Sequence, residues 1–236
     1  MITLKKHGDI KEIALNDGKV NVLNEHSLGK LQQALRDSQD AKAIVLTGVG
    51  KCFSAGLDLK RLPTLNKPDL LAVLELFSEV IVQLLNYPRP VIAAINGHAI
   101  AGGAVLSLCC DQSIGIKREV KIGLSEVAVG MPLPSLVVEL ARHRLAPTKL
   151  TQALLFGQLY SWEQALEVGY LHEAVEPEHL LDRALDLAQQ VSTLPGPAYQ
   201  QTKASLVGNL PQKLEAEAIG SFLTDQAQQH MARFKS

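Results

Sequence analysis

With 236 residues, 47% hydrophobic and 20% charged, the chain has the makeup of an ordinary folded globular protein, long enough for one large core or for one domain with a small appendage. Its 23 basic and 24 acidic residues leave a formal net charge of -1, which argues against nucleic-acid or acidic-membrane binding, though a local basic spot could still hold a phosphate. No apolar run approaches a bilayer span, Met1 to Lys6 lacks a signal-peptide core, and three cysteines, with Cys109 and Cys110 adjacent, offer neither a disulfide framework nor a metal knuckle. A cytoplasmic protein with reduced, structural cysteines and no metal is therefore expected.

Alternation in Ile2 to Leu4 and again at Ile10, Ile13 and Leu15 predicts two short strands around a turn at His7-Gly8-Asp9. Leu28, Leu31, Ala34 and Leu35 recur at helical spacing and predict a helix over 27–38, followed by a buried strand at Ala43-Ile44-Val45-Leu46. Gly48-Val49-Gly50-Lys51 lacks the residues of a phosphate loop, and a hairpin-like connection is the simpler account. Residues 60–68 read as a loop broken by Pro63 and Pro68, and residues 69–86 as a long amphipathic helix stopped by Pro88 and Pro90. A strand at 91–96, a helix at 102–110, a strand at 113–117 and a short run at 120–122 follow. From Pro147 the pattern is mostly helical, at 148–156, 161–168, 177–191, 198–207 and 212–234. The rhythm of strand, strand, helix fits an α/β protein with parallel crossovers.

Two glycine-bearing turns follow apolar strands and lead towards helices: Cys52-Phe53-Ser54-Ala55-Gly56-Leu57-Asp58-Leu59 and Asn96-Gly97-His98-Ala99-Ile100-Ala101-Gly102-Gly103-Ala104. Such turns leave backbone N–H groups free to hold a developing oxyanion, and two aimed at one point would serve thioester or similar carbonyl chemistry. Each taken alone reads sooner as a tight turn with no ligand.

These segments, with Asp111, Ile122 to Gly130 and Ala165 to Leu171, make nearly the whole chain resemble the crotonase (enoyl-CoA hydratase/isomerase) superfamily. The resemblance implies an α/β spiral of stacked ββα units over residues 1–190. It also implies a C-terminal helical region, 191–236, that joins subunits into trimers or hexamers. On pattern alone, the stripe of Leu214, Ala218, Phe222, Met231 and Phe234 on the last helix serves a partner surface or its own domain equally well. The resemblance further implies an acyl-CoA thioester as substrate, with coenzyme A part of that substrate and no separate cofactor. Carried over residue by residue, it places oxyanion donors on the backbone N–H groups of Ala55 and Gly102. Substrate contacts then fall on Ala55, Gly56, Leu57, Asp58, Leu59 and Gly102. Lys60, Arg61 and Lys203 become candidates for the CoA phosphates, against a solvated surface role for each.

Hydratases of the family use two glutamates, and here the first falls on Val105, which can neither ionise nor donate, while the second falls on Glu126. Hydration asks for a positioned pair of groups, whereas moving a double bond from the 3,4 to the 2,3 position can be done by one carboxyl that removes and returns a proton. The pattern resembles the single-glutamate Δ3,Δ2-enoyl-CoA isomerases, with catalysis expected at Glu126, Ala55 and Gly102. Without the family, Glu126 beside Ser125 reads as a helix-start carboxylate stabilised by the helix dipole. A one-glutamate hydratase, a CoA-thioester hydrolase or decarboxylase, and a non-catalytic acyl-CoA-binding subunit are the alternatives. Asp58 reads as an N-cap or loop-fixing residue, His98 as a hydrogen-bonded loop residue, and Ser54 lacks the glycine that a nucleophile elbow needs.

Overall fold

The computed structural model describes residues 1–210, so the helix expected at 212–234 and its apolar stripe lie outside the described residues. The chain opens with an antiparallel pair, β1 (Ile2–His7) and β2 (Ile10–Leu15), turning at Gly8 with φ +62°. Four strand-strand-helix turns then overlap with β2. The first adds β3 (Val22–Leu23) and α1 (Glu25–Arg36), and the second runs β4 (Ala43–Gly48), β5 (Cys52–Ser54), β6 (Gly56–Leu57) and α2 (Lys67–Leu85). The third is β7 (Val91–Ile95), β8 (His98–Ile100) and α3 (Gly102–Cys109), and the fourth β9 (Gln112–Ile116), β10 (Ile122–Gly123) and α4 (Ser135–Arg144). Helix α5 (Trp162–Val168), β11 (Glu173–Val175), α6 (Leu180–Val191) and α7 (Gly196–Val207) complete the described chain.

The leading strand of each turn enters one six-stranded sheet, ordered β1-β2-β4-β7-β9-β11 and parallel apart from β1. The second strands form smaller parallel sheets, β10-β8-β5 and β3-β6. This is the α/β spiral that the resemblance implies. Every residue of β4 and β7 is buried, which is why their sequences run apolar without alternation. Helix α6 packs on β4, β7 and β9, while α3, buried along its whole length, sits beside β8, β5 and β6. Cys52, Cys109 and Cys110 are buried and unpaired.

Three expectations change. Residues 48–51 are no hairpin, because β4 and β5 belong to different sheets and the segment carries the chain from one to the other. Pro68 does not end the loop; it sits in the first turn of α2, where a missing N–H costs nothing, and Asn66 caps that helix by accepting from the Asp69 N–H at 2.9 Å. The helix expected at 148–156 is a 3-10 turn, Pro147–Lys149, and a π-helical turn, Thr151–Leu155, since Leu155 and Phe156 face outward and cannot anchor a regular helix. Among the described residues no helix is long and apolar enough to cross a membrane.

Candidate active site

The two glycine turns meet. Gly56, at φ +82°, comes so close to the second turn that a Cβ there would stand 2.7 Å from the Gly102 nitrogen and 2.9 Å from the Ile100 oxygen. A Cβ on Gly102 would in turn stand 3.3 Å from the Gly56 Cα, the Leu23 Cδ1 and the Phe77 Cζ. Smallness at Gly102 is thus demanded by the first turn and its neighbours. Ala101 precedes it at φ +53°, a conformation costly for a residue with a Cβ, and this kink starts α3 so that Gly102 is its first residue. The N–H of Gly102 therefore has no acceptor within its helix.

The first turn is fixed by Ser54 and Asn21 rather than by Ala55. The Ser54 hydroxyl donates to the Asn21 carbonyl at 2.7 Å and accepts from the Gly56 N–H at 3.1 Å, and the Asn21 side chain donates to the Cys52 carbonyl at 2.8 Å. The Ala55 N–H donates to the Val20 carbonyl at 3.0 Å, so it is engaged within the fold and cannot be the expected oxyanion donor. The Asp58 N–H donates to the Leu23 carbonyl of β3, also at 3.0 Å. Strand alternation then turns the Leu57 N–H to the opposite edge of β6, where no strand pairs with it. Leu57 and Gly102 both line the cavity below the turns, as Ala55 does.

Asp58 fixes the loop, its Oδ1 accepting from the N–H groups of Lys60 and Arg61 at 3.2 Å each. Leu59 lines the cavity. Lys203 does not fit its expected role: its side chain is 6% exposed and its Nζ donates at 2.8 Å to Asp111 Oδ2, which also accepts from the Val91 N–H. That lysine ties α7 to the sheet instead of offering charge to a phosphate. Arg61 is likewise engaged, pairing with Glu25, whereas Lys60 is exposed. His98 accepts from the Lys121 N–H at Nδ1, 2.9 Å, as a hydrogen-bonded loop residue.

The cavity encloses about 100 Å³ and is mostly apolar. Leu74, Phe77 and Ile81 of α2 form one wall, Met131, Pro134, Leu136 and Val137 another, and Val105 projects from α3. Leu74, Phe77 and Ile81 recur at helical spacing, which puts them on one face of α2. Among the described residues Glu126 is the one titratable side chain in the lining. It stands at the start of a short 3-10 turn, Val127–Val129, as the sequence leads one to expect, but its side chain does not cap that turn. Instead its carboxyl is buried, with residue exposure of 8% and no hydrogen-bond partner for Oε2. Burial pushes its pKa up to about 7, against smaller opposing effects from the backbone of Glu126 itself and Ser125.

Residues 5–233 match the enoyl-CoA hydratase/isomerase family. The human mitochondrial enoyl-CoA hydratase domain-containing protein 3 is 33% identical over 224 residues, covering 92% of this chain and 72% of its own. An enoyl-CoA isomerase of Mycobacterium tuberculosis, solved in its apo form, superposes with a TM-score of 0.86 at 30% identity over 98% of this chain and 97% of its own. Human mitochondrial Δ3-Δ2-enoyl-CoA isomerase shares the fold, with a TM-score of 0.90 at 23% identity over 99% of this chain and 96% of its own. The paired turns, the apolar cavity beneath them and the extent of these matches make the chain a member of the enoyl-CoA hydratase/isomerase family.

Proposed function

We propose that the protein is a Δ3,Δ2-enoyl-CoA isomerase working through Glu126. The observation that carries this reading is a single carboxyl in an apolar cavity, with Val105 where a second would be needed. The thioester oxygen of a 3-enoyl-CoA accepts from the N–H groups of Leu57 and Gly102. The Glu126 carboxylate removes a proton from C2, the C2–H electron pair moves into conjugation, and the negative charge of the dienolate gathers on the oxygen between the two donors. Loss of one such donor typically costs roughly 2.7 to 4 kcal/mol of transition-state stabilisation. Protonated Glu126 then delivers its proton to C4, leaving the double bond at C2–C3 and the carboxylate restored.

A pKa near 7 suits a group that must act as base and then as acid within one turnover. The apolar walls fit the acyl chain and keep water from the dienolate. Coenzyme A enters as part of the substrate, and the mechanism calls on no further cofactor. The test offers 3-enoyl-CoA and 2-enoyl-CoA to the wild type and to Glu126→Gln, following conjugated thioester absorbance and free thiol. Conversion of 3-enoyl-CoA, lost in the variant, is expected. Turnover of 2-enoyl-CoA alone would make the protein a hydratase, release of thiol a hydrolase, and binding without turnover a non-catalytic acyl-CoA carrier.

A further inference from the structure

The cavity has a mouth and an inner end. Leu57, Leu59, Ile100 and Ala101, from the two glycine-bearing segments, line the mouth and are half-buried, so the space opens where a thioester would be received. The inner lining comes from three helices. Ile81 of α2, Val105 of α3 and Val137 of α4 are buried there, and each is the last residue of its helix to reach the cavity. The next residues on the same helix faces, Leu84 and Leu85, Leu108 and Cys109, Leu140 and Ala141, are equally buried but lie outside the lining. Among the described residues the cavity therefore ends against packed core instead of running through to another face.

Its depth is short. Gly102 opens α3, and Val105 follows three residues later, about one helical turn or roughly 5 Å along the axis. On α2 the Phe77 Cζ stands 3.3 Å from where a Cβ on Gly102 would be, and Ile81 follows Phe77 by about one turn as well. The volume agrees with this depth. A cavity of about 150 Å³ lined by Leu, Ile and Phe holds benzene, so roughly 25 Å³ serves one carbon, and the about 100 Å³ here has room for about four. With the thioester carbon C1 held at the turns, those four are C2 to C5.

We infer that the site selects short acyl chains, of about four to six carbons, and that Ile81 and Val105 set this limit by closing the inner end. A longer chain has two courses, and neither adds affinity. Its tail can push into the helices, where close packing makes displacement of buried side chains costly. Otherwise it stays outside in water and gains nothing from the apolar walls. The inference rests on the acyl-CoA reading of the site, and not on which reaction follows binding.

The test measures binding of butanoyl-, hexanoyl-, octanoyl- and decanoyl-CoA by titration calorimetry; these saturated chains cannot isomerise, so affinity is read apart from turnover. Hexanoyl-CoA should bind up to roughly 15-fold more tightly than butanoyl-CoA, the worth of two buried methylenes, and the two longer chains no more tightly than hexanoyl-CoA. Ile81→Ala removes three carbons from the inner end and should move the limit to octanoyl-CoA, which then gains roughly 15-fold over hexanoyl-CoA. Val105→Leu adds one carbon to the same space and should move the limit down to butanoyl-CoA; because it fills a cavity, it serves even where Ile81→Ala does not fold. Affinity that climbs steadily from hexanoyl- to decanoyl-CoA in the wild type would overturn the inference, as would a chain-length ranking unchanged in folded variants. Failure to bind any of the four would remove the acyl-CoA reading with it. A limit at hexanoyl-CoA in a protein that leaves 3-hexenoyl-CoA unconverted would uphold the pocket and remove only the isomerase reading.

Discussion

At the scale of single residues, Glu126, the proposed base, weighs on the stability of the fold. Its proton is bound with a pKa of about 7 in the folded chain against 4.5 for an ordinary glutamate, and the cause is burial. The folded state therefore holds a proton that the unfolded chain releases between those values. The stability this group contributes is full below pH 4.5 and is lost as pH rises through about 7. At about 1.4 kcal/mol per pH unit of pKa difference, an ionised Glu126 costs the fold on the order of 3 kcal/mol. Glu126→Gln should accordingly melt higher than the wild type at pH 8, with the gap closing by pH 4, in thermal unfolding followed across that range. The same variant should lose roughly 100- to 10,000-fold in kcat, the span typical of a general acid-base group. For the wild type, kcat should rise with pH through about 7, as the base form fills. Val105 is the second decisive residue. Val105→Glu would put a second carboxyl in the same cavity; it should lower stability through burial of a polar group and confer hydration of 2-enoyl-CoA, seen as loss of conjugated absorbance without thiol release.

At the scale of elements, the site depends on how closely α3 lies on β5. A Cβ on Gly103 would stand 2.2 Å from the Ser54 carbonyl oxygen, a backbone atom that cannot turn aside. Gly103→Ala must push α3 away and take the Gly102 N–H with it, so a stability loss of at least about 1–3 kcal/mol in denaturant unfolding and a large fall in kcat are expected together. Gly29, inside α1 with nothing within 4 Å of its would-be Cβ, is the matched control. Gly29→Ala should stabilise by roughly 0.4 to 1 kcal/mol and leave activity unchanged. Local pattern made much of this architecture legible: the apolar runs of β4 and β7, the stripe of α1, and the glycine turns all announce themselves within a few residues. What pattern could not supply was pairing across distance. The first turn's N–H groups are taken by residues some 35 positions earlier, Ala55 by Val20 and Asp58 by Leu23 of β3, a strand only two residues long and invisible in the pattern. Lys203 misleads for the same reason, since its counterion Asp111 lies 92 positions earlier. The Val105 and Glu126 positions were legible because the family resemblance aligned them, and the cavity brings both side chains to one wall-lined space.

At the scale of the whole molecule, the four strand-strand-helix turns bury their helices and leading strands so fully that large apolar side chains left outside stand out. Leu155 and Phe156, adjacent at the end of the π-helical turn, are 66% and 67% exposed, and Val127, next to Glu126, is 39% exposed. Scattered exposed hydrophobics need no special account, but two neighbouring large ones at a helix end are a surface that water solvates poorly. The turn that displays them also departs from regular helix, as Gly157 follows at φ +57° with its would-be Cβ 2.9 Å from Ala128. Gly157 thus runs beside Ala128 in the 3-10 turn that follows Glu126, so a subunit contact there would brace the segment that carries Glu126 from outside. The family resemblance leads to a trimer or hexamer, and the expected outcome of light scattering coupled to gel filtration is a mass that is three or six times 25.5 kDa. Phe156→Ser and Leu155→Ser, both at positions with little to lose in the isolated fold, should shift that mass towards the monomer as concentration falls. If Glu126 is braced through this contact, kcat should fall in parallel with the loss of assembly. A variant that stays assembled, or one that dissociates while kcat holds, would separate the two effects and show that the spiral alone keeps Glu126 in place.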